Sequence, residues 1–262
     1  MAHIDPHLLP MLRDLTKGLA ANNVRFHLIG GLVPELQLDA KPPRLTNDAD
    51  VVVTTESLSA FAEIKTMLGS FGFATTSLPY RLMHDSGGRV DLLPFGAQLL
   101  QNGKLILDAD HQFNMAGFRH ADESRVDVTI APDLIVPAVS LPLFIIMKLV
   151  AFTDRKEPKD LASALHVLRH YRPDDDAAYG LEHNDQLVPW EFASAFLAGE
   201  DGRPYVDADV QSACSPLLDS IDDVTTGIAI RVAREQGMLV ADDRHIDEIR
   251  ERLRWYRLGA GL

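Results

Sequence analysis

The sequence predicts a mixed α/β (α+β) domain followed by an all-helical domain. Three observations carry this expectation. Short Val- and Ile-rich runs bounded by Gly, Pro and Asn recur up to about Val139, and helical periodicities alternate with them. From Leu141 onward the strand-like runs cease and apolar residues recur at helical spacing. A length of 262 residues also exceeds that of most single domains, so two are expected, 1–140 and 141–262, divided within the Pro-containing stretch Ile135 to Pro142.

The elements follow in chain order. Leu8, Leu9, Leu12, Leu15 and Leu19 lie near a helical period and predict a helix from Pro6 to Ala20, ended by Asn22-Asn23. Val24 to Ile29 reads as a short strand that stops at Gly30-Gly31. Leu32 to Leu38 then starts a helix with Pro34 in its first turn, broken by Lys41-Pro42-Pro43. Ala49 to Thr54 is a valine-rich strand, and Ser57 to Ser70 a helix behind a polar cap. Ser86-Gly87-Gly88 leads into a strand, Arg89 to Leu93, which Pro94 is expected to end; Lys104–Leu107 and Val126–Ile130 are further strands. Helices are expected at Leu143–Phe152, Asp160–His170, Pro189–Leu197, Asp207–Ile221, Val224–Glu235 and Ile246–Leu258.

Composition narrows the function classes. The apolar fraction of 46% and charged fraction of 24% are those of an ordinary globular chain. A net charge of −13 disfavours nonspecific binding of nucleic acid over the whole surface, so any RNA contact has to be local. The single cysteine, Cys214, excludes an intramolecular disulfide framework and a cysteine-based zinc cluster, and a reducing cytoplasm is the expected compartment. Met1 to Pro6 lacks the basic and apolar segments of a secretory leader. Leu134 to Phe152, the most apolar stretch, is interrupted by Pro137, Pro142 and Lys148, so no membrane association is expected. Neither a Gly-x-Ser-x-Gly element nor a Walker-type Gly-Lys-Ser/Thr element occurs.

The chemistry concentrates in four places. Gly30-Gly31, between strand and helix, is either a tight turn or a point where backbone N–H groups approach phosphate. In Arg44-Leu45-Thr46-Asn47-Asp48-Ala49-Asp50 the two aspartates project from one face of a strand. They either share a cation such as Mg²⁺ or cap a solvated turn. A third carboxylate, Asp91 in Arg89-Val90-Asp91-Leu92-Leu93, lies on another apolar strand, and Asp127 in Arg125-Val126-Asp127-Val128 is its rival. Lys148, embedded in Phe144 to Val150, either snorkels to solvent or meets an anion, and a triphosphate would be one. Arg155, Lys156 and Lys159 form a basic loop near it.

Taken in order, Leu28-Ile29-Gly30-Gly31, Thr46-x-Asp48-x-Asp50 and Val90-Asp91-Leu92 resemble the signature of polymerase β-type nucleotidyltransferases. Lys148-Leu149-Val150-Ala151, with Arg155-Lys156 and Lys159-Asp160-Leu161, is similar to the AbiEii-like branch of bacterial abortive-infection and type IV toxin–antitoxin systems, and the match spans about Phe26 to Leu168. The resemblance implies a mixed-sheet nucleotidyltransferase core and metal-dependent transfer of a nucleoside monophosphate from a nucleoside triphosphate. It also implies Mg²⁺ or Mn²⁺ at Asp48, Asp50 and Asp91. Gly30, Gly31, Arg44 and Thr46 would lie near the triphosphate, with Lys148 facing the phosphates. Arg155 and Lys156 would be close by, and Asp160 would orient the lysine. The acceptor implied is RNA, tRNA first, ahead of a protein hydroxyl or an aminoglycoside-type molecule, with an antitoxin as partner; a catalytically silent nucleotide-binding module is the alternative. Leu32 and Val33 stand where the family often carries a serine, and Gln37 to Pro43 lengthens the interval to Asp48.

Two further features compete with structural readings. His166 and His170 have metal-ligand spacing but lack the intervening Glu of a hydrolytic zinc motif, and a structural role is expected. Arg250, Arg254 and Arg257 beside Trp255 and Tyr256 form either an RNA-facing surface or an amphipathic helix paired with Asp247, Glu248 and Glu251.

Overall fold

The computed structural model describes residues 5, 8–40, 42, 46–172, 176–223, 226–237 and 242–262. These divide into two compact units, one ending at Ser140 and one beginning at Leu141, with Ala40 and Pro42 grouped with the second. The expected starts of helices at Pro6 and Val224, and the breakers Lys41 and Pro43, lie outside the described residues.

The first unit opens with α1 (Leu8–Ala21), whose Leu8, Met11, Leu12, Leu15 and Leu19 are buried. β1 (Phe26–Leu28), α2 (Leu32–Gln37) and β2 (Asp48–Thr54) follow. α3 (Leu58–Leu68) is capped by Ser57, whose hydroxyl accepts from Ala60 N at 3.0 Å. Next come β3 (Phe73–Thr75), β4 (Arg81–His84) and β5 (Arg89–Phe95). Three short strands, β6 (Leu100–Gln101), β7 (Lys104–Ile106) and β8 (Gln112–Asn114), pair with one another, and β9 (Arg125–Ala131) and β10 (Leu134–Val139) complete the unit.

Among the described residues, seven strands form one mixed sheet in the order β3-β4-β5-β2-β1-β10-β9. β2 lies at its centre, parallel to β5 and antiparallel to β1, while β1 runs parallel to β10. Alternation decides the faces of the central strands. Ala49, Val51 and Val53 of β2 and Val90, Leu92 and Pro94 of β5 are buried, which leaves Asp48, Asp50, Arg89 and Asp91 on the opposite, less buried face.

One expectation is corrected. Pro94 does not end its strand, since it pairs with Val53 and β5 continues to Phe95. The pairing of β5 with β4 stops at Arg81 and Asp91, with one further bond from Leu92 N to Tyr80 O. The missing N–H of Pro94 therefore costs no ladder bond on that side. The units divide between Ser140 and Leu141, inside the stretch Ile135 to Pro142 where the boundary is expected, and residues Ile135 to Val139 of that stretch form most of β10, which sits between β1 and β9. Pro137 pairs with Asp127 there, so the prolines that suggested a break lie inside a strand and in the first turn of the next helix.

The second unit comprises α4 (Leu141–Arg155), α5 (Pro158–His170), the short pair β11 (Glu182–His183) and β12 (Gln186–Leu187), α6 (Trp190–Gly202), α7 (Ala208–Leu218), α8 (Thr226–Glu235) and α9 (Asp243–Ala260). α6 and α9 cross with backbones nearly touching, for a Cβ on Gly259 would lie 2.1 Å from Phe196 O. No helix among the described residues is long and apolar enough to cross a membrane.

Candidate functional site

The central sheet brings together the three aspartates singled out by their sequence setting. Asp48 and Asp50 share a face of β2, and the parallel pairing sets Asp50 directly beside Asp91 and Asp48 beside Arg89. Paired residues on neighbouring strands lie about 4.8 Å apart and point to the same side. Asp127, the rival third carboxylate, is on β9, with β1 and β10 between it and β2, and is ion-paired to Arg125 at 2.7 Å. Three strand spacings, roughly 14 Å, keep it away from Asp50.

The row continues onto β4, where Arg81 is the cross-strand partner of Asp91. Its guanidinium makes a two-pronged contact, Nε donating to Asp91 Oδ1 and Nη2 to Oδ2, each at 2.7 Å. This hydrogen bonding, opposed by burial and reinforced by the charges of Asp91, Tyr80 and Asp48, holds the Arg81 pKa above its already high ordinary value. Arg89 donates from Nη2 to Asn47 Oδ1 at 2.6 Å and lies 4.0 Å from Asp48. Arg81 was not anticipated from the sequence, although a signal existed. Gly87, at φ +86°, takes the turn between β4 and β5, and counting outward from its neighbour Ser86 pairs Met83 with Arg89 and Arg81 with Asp91.

The glycine pair acts by close approach. Gly31 has ordinary right-handed angles, φ −60° and ψ −26°, so no left-handed turn demands it. A Cβ on Gly30 would instead lie 1.7 Å from Asp50 Oδ2, and one on Gly31 would lie 2.2 Å from Thr46 Oγ1. The space that two side chains would occupy is taken by the carboxylate of Asp50 and the hydroxyl of Thr46. Ile29 N also donates to Asp50 O at 2.9 Å, and buried Glu35 of α2 accepts from Thr46 N at 2.6 Å. Arg44 lies outside the described residues. Among the described residues no three or more His, Cys, Asp and Glu side chains are gathered as metal ligands. Asp48 and Asp50 offer oxygen donors of the kind Mg²⁺ takes, whereas Asp91 gives both oxygens to Arg81.

In the helical unit Lys148 has an anionic partner from its own chain. Asp160 is fully buried and accepts from Lys148 Nζ at 3.2 Å and from Arg155 Nε and Nη2 at 2.7 Å each. One carboxylate thus serves two cations. Lys156, adjacent in sequence, sits at φ +57° with its ammonium 5.6 Å from the Phe152 ring centroid. Burial pushes the Asp160 pKa up. The Arg155 hydrogen bonds and the Lys148 and Arg155 charges together outweigh it, leaving the carboxyl below its ordinary range.

The remaining features take structural roles. His166 is buried against His170, ring centroids 4.9 Å apart, and burial together with the His170 and Arg169 charges lowers its pKa to about 4. On α9, Arg254 pairs with Glu251 and Asp222, Arg250 with Asp247, and Arg257 with Asp219. Trp255 and Tyr256 are buried, so this helix presents no aromatic platform for an external base.

No protein-family model matches the chain, and no curated protein matches it. Among solved structures, an antigenic nucleotidyltransferase-like protein from Paracoccidioides brasiliensis is similar over 92% of this chain and 97% of its own, with 14% identity and a TM-score of 0.48.

Two outcomes follow from this geometry. Gly30→Ala is expected to lower the urea-unfolding midpoint, because the new Cβ would lie 1.7 Å from Asp50 Oδ2 and 2.5 Å from Asp50 Cβ, which the strand backbone holds in place; an unchanged midpoint would contradict the close-approach role. Asp160→Asn strips the anion from two cations and is expected to cost about 3–5 kcal/mol in urea unfolding at pH 7. Because the folded pKa of Asp160 is depressed, its stabilisation is complete above the unfolded value near ~4 and fades as pH falls through the folded value. The gap between wild type and variant should therefore narrow below about pH 4, and a constant gap would contradict the charged role of Asp160.

Proposed function

We propose that this chain is a nucleotidyltransferase that moves a nucleoside monophosphate from a nucleoside triphosphate to a hydroxyl group of an acceptor. The observation that carries the reading is the register of β2 and β5, which sets Asp50 beside Asp91, with Asp48 on the same face and Gly30 against the Asp50 carboxylate. Arg81 and Arg89 offset part of the repulsion among these carboxylates, and the net negative charge that remains on this face favours a bound cation.

The donor set is oxygen only, which suits Mg²⁺ or Mn²⁺. Asp48 and Asp50 would hold the ion, which when bound would polarise the phosphoryl oxygens and neutralise their charge. Asp91 accepts the hydrogen bond of the attacking hydroxyl. Each of its oxygens keeps lone-pair capacity beside the Arg81 contact, so both interactions fit one carboxylate. In the transfer, the acceptor oxygen bonds to the α-phosphorus while the bond from that phosphorus to the β-bridging oxygen breaks. Pyrophosphate leaves with the electron pair, and the hydroxyl proton passes to Asp91 or to water. Thr46, Gly30, Gly31 and Arg44 flank the aspartates in sequence and are assigned to the triphosphate. Lys148, Arg155, Lys156 and Asp160 are assigned to the phosphates and their orientation on the family resemblance alone.

The acceptor proposed is an RNA end, tRNA first, in a toxin–antitoxin or phage-defence role with an antitoxin partner. The support is the AbiEii-like resemblance of residues 148–161. With a net charge of −13, such an RNA would be held by local contacts. One observation favours a second reading, a nucleotide-binding module without turnover: both oxygens of Asp91 are engaged by Arg81.

The experiment is incubation with each labelled nucleoside triphosphate and Mg²⁺ in the presence of total RNA, a protein extract or aminoglycosides. Label is expected in the RNA pool, falling by at least about 100-fold in Asp48→Ala. Nucleotide binding without label in any pool would replace the proposal with the second reading, and no nucleotide binding at all would contradict both.

A further inference from the structure

We infer that Arg81 is a built-in cation that takes the place of a second divalent ion at Asp91, so that the site holds one divalent ion at Asp48 and Asp50. This rests on the nucleotidyltransferase reading and deepens it, because in a two-ion arrangement the third carboxylate would have to ligate a metal.

Several independent features point the same way. The contact is two-pronged and engages both oxygens of Asp91 at 2.7 Å, so a metal ion on either oxygen would have to share it with a guanidinium, which a neutral hydroxyl can do and a second cation is repelled from doing. Arg81 is fixed by strand pairing, for β4 and β5 are joined by a tight turn at Gly87 and are in register at Arg81 and Asp91. The pair is sheltered, with side-chain exposures of 25% for Arg81 and 14% for Asp91. The Tyr80 ring lies 6.0 Å from the guanidinium, a further favourable contact for its charge.

Charge then limits occupancy. Three aspartates and the nearby Arg81 and Arg89 leave one net negative charge on this face. One divalent ion already reverses it before nucleotide binds, and although a triphosphate brings negative charge of its own, a second ion at Asp91 would still sit against the Arg81 guanidinium at short range in a partly desolvated place. Releasing Arg81 would require breaking both hydrogen bonds and leaving a sheltered guanidinium without its anion. Arg81 is therefore a positioning residue: it holds Asp91 ready for the acceptor hydroxyl and denies that carboxylate to a metal.

The test is the number of Mn²⁺ ions bound per chain, counted by electron paramagnetic resonance with the full chain and a non-hydrolysable ATP analogue. Wild type is expected to bind one ion. Arg81→Gln, which removes the charge and frees Asp91, is expected to bind two, and Arg81→Lys, which restores the charge, to return toward one. Two ions in wild type would overturn the inference while leaving the nucleotidyltransferase reading intact, as would one ion in a folded Arg81→Gln protein. Should Arg81→Gln fail to fold, the wild-type and Arg81→Lys counts still decide. If wild type and Asp48→Asn bind Mn²⁺ no better than the analogue does alone, it is the nucleotidyltransferase reading that fails.

Discussion

The parallel pairing of β2 with β5 is the constraint from which the polar site follows. Side chains alternate along a strand, so a slip of one residue in this pairing would turn Asp91 to the apolar face and bring Val90 or Leu92 beside Asp50. The register is held from the buried side, where Ala49, Val51 and Val53 pack in step with Val90, Leu92 and Pro94. Apolar burial on one face thus fixes carboxylate geometry on the other. Central placement in the sheet removes the freedom of an edge strand, and the cost of gathering acids there is offset by Arg81 and Arg89.

The glycine pair extends the same logic. Glycine at a strand-to-helix junction suggests a turn that other residues cannot adopt, yet the backbone angles at Gly31 are open to any residue. The requirement at Gly30 and Gly31 is room, because Asp50 and Thr46 lie over them. Glu35 completes the arrangement by tying Thr46 to α2, so the short helix, the glycines and the start of β2 form one packed group. In the helical unit, Asp160 plays a comparable organising part with opposite balance, as a single buried anion joining the end of α4 to the start of α5 through Lys148 and Arg155.

How much was legible in the sequence depended on whether a signal was local. β2, α3, the start of β5 and the helical character beyond Leu141 were read from periodicity, and Asp48 and Asp50 from their spacing on one strand. The stretch Ile135 to Pro142 was read as the place where the two domains divide, as they do after Ser140, but its strand β10 was not read because Pro137 and Pro142 look like breakers, and only the sheet reveals that Pro137 sits within a paired strand. β4 was missed because Arg81-Leu82-Met83-His84 is short and lacks β-branched residues, and with it went Arg81, whose role depends on cross-strand pairing. The choice between Asp91 and Asp127 had the same character. Each lies in an Arg-Val-Asp sequence on a strand, and only strand order separates them. Trp255 and Tyr256, which resembled a stacking surface beside arginines, are core residues of α9.

The most direct measurement is the anomalous scattering of Mn²⁺ in crystals grown with a non-hydrolysable nucleoside triphosphate analogue. A manganese peak between the carboxylates of Asp48 and Asp50, with the phosphates against it and Asp91 still held by Arg81, is the expected result. Manganese and nucleotide bound elsewhere on the chain, with this face of β2 and β5 bare, would contradict the assignment of the site.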